Sequence, residues 1–150
     1  MRGQSAIEYL LIFSVVLVIF AVITLGEMVN PTAEAGRDTL YLSQARSAAD
    51  EIAGAVNSVY ANGQWATKSV GFSIDQNWSL QLTENQLTII LEISDGTQNV
   101  ESSLRYGFND NLQNLSTGTY TVIAEWSGGQ ENIVRDGYKI YIRIKPPRGI

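Results

Sequence analysis

The sequence predicts an α+β protein in which a long N-terminal hydrophobic helix is followed by a small antiparallel β-sandwich or curved-sheet domain. Three observations predict it. No charged residue occurs from Tyr9 to Gly26; apolar residues recur at helical spacing from Leu42 to Val59; and from Gln64 onward the apolar spacing changes to two. With 150 residues, 45% hydrophobic and 17% charged, the chain has room for one small packed domain and an additional segment.

The first element is the run Tyr9–Leu25, YLLIFSVVLVIFAVITL, whose polar side chains are Tyr9, Ser14 and Thr24. Extended upstream to Ala6 it covers roughly 20 residues, or about 30 Å of helix, the thickness of a bilayer's hydrocarbon layer. A cleaved secretory signal would have a shorter apolar run and an Ala-x-Ala site after it, for which Gly26-Glu27-Met28 is a poor match. A core helix would need apolar partners on every side, which the small β-type remainder is ill-suited to supply. The favoured reading is a retained anchor. Arg2 precedes it and Glu27 follows, so the short basic end stays in the cytoplasm and the C-terminal part lies outside.

Glu8 does not belong in a plain anchor. A carboxylate among lipid tails costs on the order of 3 kcal/mol on insertion scales and usually marks a partner or a function. The plainer alternative places it at the interface, in reach of water.

Residues Arg2-Gly3-Gln4-Ser5-Ala6-Ile7-Glu8-Tyr9-Leu10-Leu11 resemble the processing site of archaeal type IV pilins, the family with a class III signal peptide. The match is specific over these residues, and the apolar helix after them adds weaker support. The resemblance implies a pilin-like fold and a leader of residues 1–3, cut between Gly3 and Gln4 by a prepilin peptidase. It makes Glu8 the fifth residue of the mature chain. Archaellins share the processing logic but usually carry Gly in this early helical region, so Glu8 favours a pilus over a swimming filament.

The spacing has its own physical content. Cleavage at Gly3 would create an α-amine at Gln4, about one helical turn before Glu8. In a staggered bundle that amine can approach a neighbour's Glu8, and the opposite charges offset each other's desolvation. Gln4 and Glu8 are therefore the candidate assembly residues.

The helix is expected to span residues 4–62, with a membrane or filament-core part at 6–26 and an amphipathic part at 33–61. A kink or local melt is expected near residues 30–31, because Pro31 lacks a backbone donor and disfavours helix just before it. Leu42, Ala45, Ala49, Ile52, Val56 and Val59 form one apolar stripe that seats the following domain. Arg37, Gln44, Asp50 and Asn57 are placed on the opposite side, and Asn62-Gly63 forms a C-terminal cap. Gly36 and Gly54 would permit a close approach by neighbouring helices.

Residues 64–150 read as six or seven short strands. Apolar residues alternate over Val70-Phe72-Ile74, Leu80-Leu82, Leu87 to Ile93, Leu104-Tyr106-Phe108, Tyr120 to Trp126 and Tyr138 to Ile144. Turns are expected at Thr83-Glu84-Asn85, Asp95-Gly96, Asn109-Asp110-Asn111, Ser127-Gly128-Gly129 and Asp136-Gly137. The last strand alternates Ile140, Ile142 and Ile144 with charged or aromatic residues, so one face is buried and one wet. The tail Pro146-Pro147 should lie at a sheet edge.

Ten Lys+Arg against fifteen Asp+Glu give a net charge of -5 without a basic run, which argues against nucleic acid. The absence of Cys and His removes the common zinc ligands, thiolate nucleophiles and the usual triad base. Asn109-Asp110-Asn111 lacks the calcium-loop pattern and reads as a turn. Nothing pairs two of Asp75, Glu84 and Asp110 as a glycosidase would require. Trp65, Trp78 and Trp126 could form a sugar-stacking surface, with core packing or subunit contact the plainer reading. Asn77-Trp78-Ser79 and Asn114-Leu115-Ser116 are sequons, making Asn77 and Asn114 glycosylation candidates if the domain is outside.

The expectation is a structural subunit, not an enzyme, without cofactor or metal. It would be a plasma-membrane precursor that polymerises into an extracellular adhesive filament. Its partners would be copies of itself, the prepilin peptidase, the assembly platform and, before assembly, the membrane. A minor pilin or pseudopilin, or a solitary anchored binding module, is the alternative.

Overall fold

A computed structural model describes the backbone of residues 2–108, 111–126 and 132–144, and the side chains of 6–26, 33–108, 111–126 and 133–144. Among the described residues one helix, α1 (Arg2–Asn62), is followed by eight strands: β1 (Thr67–Ile74), β2 (Trp78–Thr83), β3 (Gln86–Ile93), β4 (Gly96–Ser103), β5 (Asn111–Leu115), β6 (Gly118–Trp126), β7 (Asn132–Asp136) and β8 (Lys139–Ile144). The chain divides into two units, Met1–Arg37 and Asp38–Ile150, so the boundary falls inside α1.

The first unit is helical, and its apolar segment is Ala6–Gly26, with a mean hydropathy of 2.8. Its two aliphatic hydroxyls bond within the helix: Ser14 Oγ donates to Leu10 O and Thr24 Oγ1 to Phe20 O, each at 2.7 Å. Back-bonding to the carbonyl one turn earlier satisfies a hydroxyl without water, which suits a dry environment. The helix assignment continues through Asn30 and Pro31, so the expected local melt does not occur. A proline inside a helix removes one hydrogen bond while its neighbours keep theirs, and the expected kink is compatible with an unbroken helix.

The second unit packs the later part of α1 with two four-stranded sheets, ordered β1-β6-β8-β7 and β4-β3-β2-β5. The predicted stripe is the buried face of the helix: Ala45, Ala49, Ile52, Val56 and Val59 are at most 1% exposed, and Leu42 packs at the margin. Helix and strands share one apolar cluster that includes Leu80, Leu82, Leu87, Ile89, Leu91, Tyr120, Val122 and Ile140 to Ile144 on alternate positions. The helix stops where the sequence predicts, with Gly63 at φ +83° and its N–H donating to Val59 O at 3.1 Å.

Three of the four polar residues assigned to the opposite helix face instead clamp its flanks to the strands. Gln44 Nε2 donates to Asp75 Oδ2 at 2.8 Å, Ser102 Oγ donates to Asp50 Oδ1, and Asn57 Nδ2 donates to Ser103 O at 3.1 Å. Asn57 Oδ1 also accepts from the Arg105 backbone N–H at 2.7 Å. These positions border the apolar stripe, where a side chain reaches across to the neighbouring strand rather than into water.

The strands depart from expectation in number and in one direction. β4, β5 and β7 are additional, whereas Leu104-Tyr106-Phe108 is an irregular connection whose Leu104 and Phe108 are buried. β4 reads GTQNVESS and buries only Val100, so its place rests on backbone pairing with β3 and on helix side chains at its outer edge. There Arg46 Nη1 donates to Glu101 O at 2.8 Å, covering an edge that would otherwise be open to strand addition. β8 inserts between β6 and β7, pairing antiparallel with β7 and parallel with β6. All other pairs are antiparallel.

Turn residues follow the predicted chemistry at Asn85 (φ +64°), Gly96 (φ +111°) and Gly137 (φ +59°). The turns expected at Asn109-Asp110 and Ser127-Gly128-Gly129, and the Pro146-Pro147 edge, lie outside the described residues. Gly118, which opens β6, is needed for two reasons: its φ is +152°, and a Cβ there would meet Tyr138 Cε1 at 2.7 Å. Gly118→Ala is expected to lower the stability of the β domain by about 1–3 kcal/mol, seen as an earlier urea midpoint at unchanged slope.

Candidate functional site

The apolar segment of α1 carries the candidate site. Fifteen large apolar or aromatic side chains between Ile7 and Leu25 are 50% to 74% exposed, and none of the Ala6–Gly26 window is buried within the chain. This removes the core-helix reading. Full burial of such a side chain is worth at most about 1.5–3 kcal/mol, so leaving this surface in water is costly. By length and composition the segment is compatible with a membrane anchor or a signal sequence.

Glu8 sits on this surface and is exposed. Leu11 and Ile12, three and four residues on, share its face and are 62% and 59% exposed. Among the described residues none donates to its carboxylate or forms an ion pair with it. The charge is thus set in an apolar surface with no partner among the described residues. Gly3 and Gln4 are in the helical backbone, but their side chains lie outside the described residues.

On the second unit, Gly54 faces open space with no atom within 4 Å of an added Cβ, and the same holds for Gly36 in the first. Neither glycine packs against a described residue. Around Gly54 the exposed helix face carries Ser47, Asp50 and Glu51, with Arg46 paired to Asp50 at 3.2 Å.

The structure brings the two sequons together. Ser79 of β2 pairs in register with Asn114 of β5, and Ser79 Oγ donates to Asn114 Oδ1 at 2.9 Å. Both triplets line one cleft of about 440 Å³, which also includes Glu92 and Arg135. Asn77 is exposed on the bend before β2, whereas Asn114 lies within an edge strand and its carbonyl accepts from Arg135 Nη1. Arg135 also reaches Tyr120, with Nη2 at 3.3 Å from the hydroxyl, a link that no sequence motif announces.

The three tryptophans do not share a surface. Trp78 is 2% exposed in the core and stacks on Phe72 at 6.0 Å; Trp126 is partly buried and stacks on Tyr60 at 5.7 Å; Trp65 is 77% exposed. The described residues contain no group of three or more His, Cys, Asp or Glu placed to hold a metal ion. No protein-family model, curated protein or solved structure matches the chain.

Proposed function

We propose that this chain is the structural subunit of a type IV pilus-like surface filament, held in the membrane before assembly and polymerised through the apolar part of α1. The observation that carries the reading is the uncovered segment Ala6–Gly26 with Glu8 near its start. An anchor alone accounts for the apolar surface but not for the carboxylate. Filament assembly accounts for both, because the same Leu, Ile, Val and Phe side chains that face lipid in the precursor face other helices in the fibre.

The resemblance of residues 2–11 to the archaeal type IV pilin processing site supports the same reading. On it, a prepilin peptidase cuts after Gly3, the Gln4 amine of one subunit meets Glu8 of the next, and the strands of residues 67–144 form the outer sheath. The sheath is then the surface that serves adhesion.

Terminal-peptide mass spectrometry of sheared surface material, combined with electron microscopy of the same fraction, tests this. The expected result is filaments whose subunit begins at Gln4. A subunit that begins at Met1 or after Leu25, or that is shed without filaments, would sink the proposal.

A further inference from the structure

Trp65 occupies a position that its own residue type opposes. Ala66 N–H donates to Gly63 O at 3.1 Å, closing a four-residue turn in which Trp65 is third and has φ +74°. That is the pattern of a type II turn, whose third position calls for Gly or Asn. A bulky side chain at positive φ strains the backbone. At Asn85, the other non-glycine residue described with positive φ, the residue type tolerates the conformation. Trp65 has no such excuse.

Nor does the indole recover the strain through packing, since 77% of the residue is exposed. The turn is nevertheless held firmly. Trp65 N–H donates to Trp126 O at 3.2 Å, and Trp126 N–H donates to Ala66 O at 2.9 Å, so the strand end at Trp126 is tied on both sides. Trp126 in turn stacks on Tyr60 with only 6° between the rings. A rigid, strained turn thus displays a large aromatic ring to solvent.

We propose that Trp65 is a stacking platform for a saccharide ring. One exposed indole offers less than about 200 Å², far short of the ~800 Å² per partner of a stable protein interface, but suited to the C–H face of one pyranose. Its sequence neighbours Asn62 and Gln64 are exposed amides, neutral groups that donate to and accept from hydroxyls. A neutral polyhydroxylated ligand fits this chemistry better than an ionic one. The inference goes beyond the filament reading and holds whether or not the chain polymerises, because it concerns the second unit alone.

The test uses the full-length chain in dodecylphosphocholine micelles, a detergent without a sugar head group, with the three tryptophan indoles labelled with nitrogen-15. Cellotetraose, chitotetraose, an α-mannotetraose and a β-galactotetraose are the probes. The Trp65 resonance is expected to shift saturably with at least one of them, while Trp78 and Trp126 keep their positions. Trp65→Ala should weaken that binding, read for all variants by isothermal titration calorimetry, by about tenfold or more while leaving the other two resonances in place. Trp65→Gly should weaken binding to the same extent as Trp65→Ala yet raise the urea midpoint of the domain, since it relieves the turn.

No shift with any of the four sugars, or binding retained by Trp65→Ala, overturns the proposal. A lower midpoint for Trp65→Gly would make the indole structural and overturn it as well. A Trp65 resonance that moves with protein concentration in the absence of sugar would assign the ring to contact between copies instead.

Discussion

Glu8→Gln is expected to leave the chain inserted in the membrane and cleaved, yet to stop it entering filaments. Insertion should be unharmed or improved, because a neutral amide in an apolar helix costs less than a carboxylate. Cleavage after Gly3 should persist, since the peptidase acts around the scissile bond. On the proposed filament reading the change falls on assembly: the α-amine of each neighbouring subunit would enter a dry core without its counter-charge. Removing one member of a buried pair costs about 3–5 kcal/mol, a hundredfold or more in association. Processed monomer should therefore accumulate in membranes while filament number falls toward zero. Tyr9→Phe, which keeps the apolar contact next to it, should still assemble. Filaments of normal number and length from cells carrying only Glu8→Gln would remove the assembly role assigned to this residue.

Much of this molecule is legible where local periodicity and burial coincide. The stripe from Ala45 to Val59 is readable because a helix packed on one side repeats its apolar residues every three or four positions. Ile140, Ile142 and Ile144 are readable for the equivalent reason in a strand, and all three are fully buried. Gly63, Asn85, Gly96 and Gly137 mark their turns because few other residues tolerate positive φ.

The unread parts have different causes. β4 buries one apolar side chain and is specified by hydrogen bonds to β3, which any sequence can make. The alternation Leu104-Tyr106-Phe108 imitates a strand because those side chains plug the core from an irregular backbone. The parallel pairing of β6 with β8 depends on where a hairpin docks, and that is decided by distant contacts. Trp65 and Trp78 are the same residue type with opposite fates, settled by a turn in one case and by the inward face of β2 in the other. For Glu8, position and chemistry are readable, while no partner stands among the described residues; on the proposed reading it belongs to another subunit.

A substitution in the helix's buried stripe should show the reverse phenotype. Ile52 is fully buried, and it is the largest side chain that α1 contributes to the core. Its neighbours on that face are mostly small: Ala45, Ala48, Ala49, Ala53 and Ala55 let helix and sheets approach closely, and Ile52 fills the space between them. Ile52→Ala would leave a cavity that alanines cannot close, which places its cost in the upper part of the ~2–5 kcal/mol range for such truncations. A domain of this size has about 5–15 kcal/mol to lose, so roughly a quarter or more of its stability should disappear. Urea unfolding of the full-length protein in micelles should show a lower midpoint at unchanged slope. Leu40→Ala is the matched control: Leu40 lies on the same helix but is 52% exposed, and its loss should change stability by no more than about 0.5 kcal/mol. On the proposed reading, membrane insertion should be normal in both variants, since neither touches Ala6–Gly26, while Ile52→Ala should lose folded β domain. A cost below about 1 kcal/mol for Ile52→Ala would mean that the helix is not seated through this face.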